Sequence, residues 1–124
     1  MDCRLELVMV PVSDVDRAKA FYVDRVGFVA DHDHVVSDDV RFVQLTPRGS
    51  ACSIAIGRGL TPAEPGSLQG LQVVVDDIEV ARAALVAGGV DVGPVDRQPW
   101  GAFVHFRDPD GNAWAVQEIP GRAG

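Results

Sequence analysis

The sequence reads as an α+β protein: two tandem βαβββ modules whose curved mixed sheets form a cup, with the helices outside. Three observations predict this. The segment VSDVDRAKAFYVDRVGF (12–28) returns as VDDIEVARAALVAGGV (75–90), and self-similarity at a fixed offset marks two copies of one unit. At an offset of 63 residues Val12 matches Val75, Asp14 matches Asp77 and Ala18 matches Ala81; at 62, Gly27 matches Gly89, Pro47 matches Pro109 and Gly49 matches Gly111. Within each copy, apolar alternation gives way to helical spacing and then returns. Finally, a Pro/Gly turn stands at the same place in both, TPRGS in the first and DPDGN in the second.

The elements follow in order. LELVMVPV (5–12) is the first strand. Ser13 follows as a helix N-cap with Asp16 three residues on, a carboxylate variant of the capping box. Val15, Ala18, Tyr22 and Val26 give this helix a buried face, and Gly27 ends it. Strands are predicted at about 28–36, 41–46 and 51–57, the last two joined by the Pro47/Gly49 turn. The stretch GRGLTPAEPGSLQ, rich in Gly and Pro, is a linker. A strand at 70–75 and a helix opened by Asp76 and Glu79 come next, with Ile78, Ala81 and Leu85 on one face and Gly88 and Gly89 at its end. Strands at about 92–97, 102–107 and 113–119 complete the second unit. The predicted organisation is one domain over 1–124, with a first module at 1–57, a linker at 58–69 and a second module at 70–119.

Bulk properties bound the function. A chain of 124 residues can bury a core without help from a metal or disulfide. Its 47% hydrophobic and 23% charged residues are ordinary for a globular protein, and no apolar run approaches the roughly 20 residues that span a bilayer. The start, MDCRLELVMV, lacks the basic-then-apolar order of a secretory signal, so a cytoplasmic protein without a membrane partner is expected. Cys3 and Cys52 have no Cys-x-x-Cys spacing and read as small buried apolar side chains. With 11 basic against 18 acidic residues the net charge is −7, which disfavours nucleic acid and favours attraction of a cationic ligand.

The pattern Asp14-x-x-x-Ala18-x-x-Phe21-Tyr22-x-x-x-x-Gly27-Phe28, with Asp108-Pro109-Asp110-Gly111-Asn112 late in the chain, resembles the vicinal oxygen chelate superfamily. That superfamily includes glyoxalase I, extradiol dioxygenases, and fosfomycin- and bleomycin-resistance proteins. The likeness covers nearly the whole chain and implies the cup fold without implying one reaction, because the scaffold hosts many activities. It also implies where a metal would sit: at a His or Gln seven residues before each helix-entry Asp, and at a Glu seven residues after the Asp of the Asp-Pro-Asp-Gly turn. That rule selects Leu7, Gly70 and Ala115, and the repeat adds Ser53. Such side chains cannot supply the nitrogen and carboxylate shell of a divalent metal, so neither metal nor other cofactor is expected. A homodimer is a further implication of the resemblance.

Strand alternation sorts the remaining candidates. It puts Leu5, Leu7 and Met9, then Ala51, Ser53 and Ala55, then Gly70, Gln72 and Val74 on the inner face. Ala113, Ala115, Gln117 and Ile119 join them, while Trp114, Val116 and Glu118 point the other way. Leu7, Met9, Ser53, Gln72, Ala115 and Gln117 are therefore candidate ligand-binding residues, and Glu118 reads as a strand-end charge. Trp100, before the penultimate strand, either stacks on a flat or cationic ligand or packs after Pro99. His105, on one face with Phe103 and Arg107, is either a hydrogen-bond partner or general base in the cup or a half-exposed strand histidine. His32 and His34 share a face and raise the alternative of a relocated metal, whereas Arg41 and Gln44 fall on opposite faces of one strand.

Two functional readings follow. One is a metal-free protein like the bleomycin-resistance group, binding a small organic, cationic or antibiotic-like ligand in an apolar cup. The other is a lyase, isomerase or dioxygenase-type enzyme that uses His105 or Gln72, or a relocated metal site.

Overall fold

The computed structural model describes residues 1–121. The first half contains β1 (Leu7–Met9), α1 (Val15–Ala20), a π-helical continuation (Phe21–Val26), β2 (Val29–Ser37), β3 (Val40–Thr46) and β4 (Ser53–Arg58). The second contains β5 (Leu71–Val74), α2 (Ile78–Ala87), β6 (Asp96–Gln98), β7 (Gly101–Arg107) and β8 (Ala113–Glu118). Each half makes one four-stranded sheet, in the orders β1-β4-β3-β2 and β5-β8-β7-β6. In both sheets the first strand runs parallel to the last, and the other pairs are antiparallel. The two tandem βαβββ modules of an α+β fold are thus present, with helices against one face of the sheets and the cup on the other. Among the described residues no helix is long and apolar enough to cross a membrane.

The helix starts differ from expectation by one residue each. Asp14, not Ser13, caps α1, accepting from Arg17 N at 3.0 Å. Ser13 is drawn away to the other module, where its Oγ donates to Asp110 at 2.5 Å. Asp16 makes no capping contact and instead takes a 2.8 Å bond from Arg41. Likewise Asp77, not Asp76, caps α2, accepting from Glu79 N and Val80 N at 3.0 and 3.2 Å. A carboxylate accepts these amide protons more strongly than a hydroxyl and favours the positive end of the helix.

The π-helical stretch explains a second difference. Regular spacing from Val15, Ala18 and Tyr22 leaves Phe21 off the buried face, yet Phe21 and Tyr22 are both buried. A wider turn lets two consecutive aromatic rings point inward, and such a bulge often marks a constrained site. Gly27 then ends the segment at φ 94°, a left-handed conformation that a side chain resists.

Phe21, Tyr22, Phe28, Phe106 and Trp114 form one aromatic cluster across the two modules, with ring centroids 5.3 to 6.1 Å apart. Around it lie Val43, Leu45, Ile54 and Ile56 of the first sheet and Val104 and Val116 of the second. Trp114 and Val116 therefore face the core, as alternation predicts. The predicted strand at 92–97 shrinks to Asp96–Gln98: Val90 and Val92 are buried, but as part of an irregular connection. Leu5, Ala51 and Gly70 lie outside any strand. The cysteines also depart from expectation, since Cys3 is exposed on the unstructured start and Cys52 only half buried.

Candidate functional site

The carboxylates that stand out in the sequence are structural. Asp108 is buried and accepts backbone protons from Asp110, Gly111 and Asn112 on Oδ1, at 2.9 to 3.0 Å. Its Oδ2 takes the Tyr22 hydroxyl and the Asn112 amide, both at 2.7 Å. Trp114 Nε1 donates to the same Tyr22 oxygen at 2.9 Å, and Asn112 Nδ2 reaches Pro11 O at 2.8 Å. Burial, then the neighbouring Asp108 charge, pushes the Tyr22 phenol far above its usual range, so it stays protonated. The DPDGN turn is thus a staple between modules. Glu118 is also accounted for: half buried, it accepts from Ile78 N at 3.0 Å, capping α2.

The cup face of the first sheet is fixed by register. Leu7 faces Ser53, Met9 faces Ala55, and Gln44 lies across from Ala55 on the other side. His32 pairs with Gln44 and His34 with Phe42, so both imidazoles share this face. Gln44 Nε2 donates to Ser53 Oγ at 3.1 Å, and the Ser53 and Thr46 hydroxyls meet at 2.7 Å. Thr46 Oγ1 in turn donates to Asp31. Of Arg41 and Gln44, then, Gln44 reaches the cup. Arg41 lies on the helix side, where it binds Asp33 through two bonds of 2.8 and 3.0 Å and holds that carboxyl well below the usual carboxylate range.

Asp31 and Thr46 escape sequence reasoning. The register of β2 on β3 slips between Ala30 and His32. That bulge turns Asp31 and His32 toward one face, which strict alternation forbids.

On the second sheet Gln72 and His105 flank Ala115, while Val74 and Phe103 flank Gln117. Gln72 Nε2 donates to Gln117 Oε1, and Gln117 Nε2 donates to the Trp100 carbonyl at 3.2 Å. The His105 and Phe103 rings stack at 6.2 Å and 13°. Trp100 sits in the β6–β7 turn and is 63% exposed, so it is not packed after Pro99. Between β1 and β5 a cavity of about 340 Å³ brings Ser53 and Gln72 together with Leu5, Gly70 and Leu71. His105 lines a separate depression with Asp91 and Arg107. A larger depression, about 500 Å³, lies beside the linker. Its polar groups are already engaged, Arg41 by Asp16 and Asp33, Arg58 by the Asp38 carbonyl, and Ser13 by Asp110.

The register corrects one metal position. Val10 N donates to Ala55 O and Val75 N to Gln117 O, so the strands repeat at an offset of 65 (Val10 to Val75). The helices repeat at 63 (Asp14 to Asp77), because the strand-to-helix connection is two residues shorter in the second module. The counterpart of Leu7, which faces Ser53, is therefore Gln72, which faces Ala115, and not Gly70. By this equivalence the four metal positions that the resemblance implies hold Leu7, Ser53, Gln72 and Ala115. One hydroxyl and one carboxamide cannot build a divalent-metal shell, so these residues do not fit the metal. His32 and His34 stack at 5.7 Å and 22°. Among the described residues no cluster of three His, Cys, Asp or Glu side chains completes a shell around them.

Two four-stranded mixed sheets, a pair of βαβββ units and the DPDGN staple define a class, and the chain belongs to the Glyoxalase/Bleomycin resistance protein/Dioxygenase superfamily, whose model matches residues 4–116. Particular relatives sharpen this. The structure of TnmS3, an antibiotic binding protein from Streptomyces sp. CB03234, is 36% identical and superposes with a TM-score of 0.86, covering 95% of this chain and 97% of that one. A glyoxalase/bleomycin resistance protein from the same strain is 37% identical, with a TM-score of 0.81 over 92% of this chain and 99% of its own. The uncharacterized protein YetH of Bacillus subtilis (strain 168) is 26% identical over 113 residues, 90% of this chain and 94% of its own length.

Proposed function

We propose that this chain is a metal-free binding protein that holds a small organic, antibiotic-like ligand in the cup and leaves it chemically unchanged. One observation carries the reading: the register pairs Leu7 with Ser53 and Gln72 with Ala115, and the superfamily resemblance implies metal ligands at these positions in metal-using relatives. An aliphatic, a hydroxyl, an amide and a methyl group suit contact and hydrogen bonding, not Lewis-acid chemistry. The similarity to TnmS3 supports the antibiotic-like ligand class. Leu7, Met9 and Ala115 supply apolar wall, Ser53, Gln72 and Gln117 supply polar contacts, and Trp100 and His105 present flat rings.

A second copy of the chain completes the cup. Met9, Val74 and Trp100 are exposed apolar groups at the cup, and all nine residues of β2 are exposed. Such an edge invites cover by another subunit. The test has two arms. Elemental analysis of the protein as purified is expected to find well under one divalent metal per chain, and chelators leave binding unchanged. Incubation with a natural-product panel followed by mass spectrometry is expected to recover captured ligand intact. A stoichiometric metal at the cup or a new product overturns the proposal in favour of an enzyme.

A further inference from the structure

We infer that the first sheet's wall of the cup is proton-ordered by Asp31, so that it selects ligand groups that donate hydrogen bonds, protonated amines before all others. This rests on the proposal that the cup binds organic ligands. The ordering follows from valence. A carboxylate only accepts, so the Thr46 hydroxyl must give its proton to Asp31 Oδ2. Thr46 Oγ1, 2.7 Å from Ser53 Oγ, must then receive the Ser53 proton. Ser53 Oγ has none left to give, so at 3.1 Å it can only accept, and Gln44 must present its NH₂ side. One carboxylate thereby fixes two hydroxyl rotors and an amide flip. What this chain of bonds leaves open toward the cup is Asp31 Oδ1, Gln44 Oε1 and one Gln44 N–H, beside the His32 and His34 imidazoles on the same face.

Asp31 shares no ion pair with any of the cations that the structure pairs elsewhere: Lys19 and Arg41 serve Asp33 and Asp16, Arg17 serves Asp110, and Arg97 serves Glu79. The carboxylate is exposed on the cup side, aimed there by the bulge after Ala30. Its Thr46 and Ser53 partners are half buried and buried, which holds the acceptor in place before a ligand arrives. The second sheet differs, since its cup face carries Arg107, across from Ala113, and His105. The net charge of −7 adds a long-range pull of the same sign as Asp31.

The experiment uses a matched set on one ring: tryptamine, an ammonium donor, and indole-3-acetate, an acceptor. Both are titrated into the full chain at about pH 8, where ordinary imidazoles are neutral, with backbone amide shifts as the readout. Tryptamine is expected to move the Asp31, Gln44 and Thr46 amides, and indole-3-acetate to leave them still. Asp31→Asn, at an exposed strand position, is expected to weaken tryptamine by about tenfold and to leave indole-3-acetate within about twofold, the size of one charge-assisted hydrogen bond. Equal tryptamine affinity in the variant overturns the inference, as does an indole-3-acetate that moves the same amides as strongly. If tryptamine moves only amides of the second sheet, cup binding survives and the inference fails. If neither probe moves any cup amide, both readings fall.

Discussion

Replacing Tyr22 with phenylalanine isolates the bond network that staples the two modules. The ring keeps its contacts with Phe28 and Trp114, at 5.6 and 5.8 Å, and only the hydroxyl is lost. That oxygen donates to Asp108 at 2.7 Å and accepts from Trp114 Nε1 at 2.9 Å, and Tyr22 is fully buried. A hydrogen bond to a charged acceptor contributes about 1.5–3 kcal/mol, and a buried indole N–H left without an acceptor costs about 1–3 kcal/mol. The two effects share one atom and do not simply add, so the expected loss is about 3 kcal/mol. For a chain of this size that lowers Tm by about 10 °C. Urea unfolding followed by tryptophan fluorescence measures it, with the slope against denaturant unchanged. A loss below about 1 kcal/mol refutes the staple, since it approaches the range of an ordinary surface change.

The pH dependence of the same variant gives an independent check, because Tyr22 is the only tyrosine in the chain. Burial and the Asp108 charge raise its folded-state pKa, whereas the unfolded chain ionises near the usual value of about 10. Above that pH the unfolded state binds fewer protons than the folded one, so stability present below about pH 10 drains away at about 1.4 kcal/mol per unit. The phenylalanine variant has no phenol to ionise. The stability gap between the two proteins should therefore narrow by that slope from about pH 10 upward, and parallel curves would refute the buried phenol.

Two further outcomes are expected. Glu118→Ala should lose about 1 kcal/mol and speed amide exchange in the first turn of α2, because its carboxylate caps Ile78 N; a loss of ligand retention at unchanged stability would instead place Glu118 in the site. Combining Leu7→His, Gln72→His and Ala115→Glu should create a zinc site measurable by competition with a chromogenic chelator. The same set with Gly70→His in place of Gln72→His should bind at least about tenfold more weakly, and the reverse order would refute the register-based equivalence of Leu7 and Gln72.

What the sequence discloses depends on whether a feature is local. The repeat, the paired turns and the Gly27 stop are local patterns, and each stands where the sequence places it. Alternation along β8 correctly turns Trp114 and Val116 to the core and Glu118 out of the cup. The helix caps mislead because Ser13 and Asp14 are adjacent and equally suited by type; the choice is made by Asp110, 97 residues away from Ser13 in sequence. The assignment of Gly70 fails for a related reason. It carries one offset through a connection that has lost two residues, and only the hydrogen-bond ladder reveals the slip. Asp31 is invisible because a bulge has no signature in the alternating stretch VADHDHVV, whereas Thr46, two residues after Gln44, lies on the face that alternation gives it. The π-helical turn hides Phe21 in the same way: it breaks the period on which the reading depends.

Recognition in this fold must come from groups with valences to spare, and that criterion separates the cup from the other polar clusters. Asp108 already receives five hydrogen bonds, three on Oδ1 and two on Oδ2, so no ligand can bind it without breaking one in a buried setting. Asp33 is closed by Lys19 and a two-pronged Arg41. Among the described residues no buried side-chain polar atom lacks a partner, so the interior offers nothing for a ligand to satisfy. On the cup faces the chains run the other way. Gln44–Ser53–Thr46–Asp31 and Gln72–Gln117–Trp100 each terminate in residues that are exposed or half exposed, with amide and carboxylate oxygens still open. Each network restrains its free end and so lowers the entropic cost of binding, which favours selective contact by a wall otherwise made of Leu7, Ala55, Val74 and Ala115.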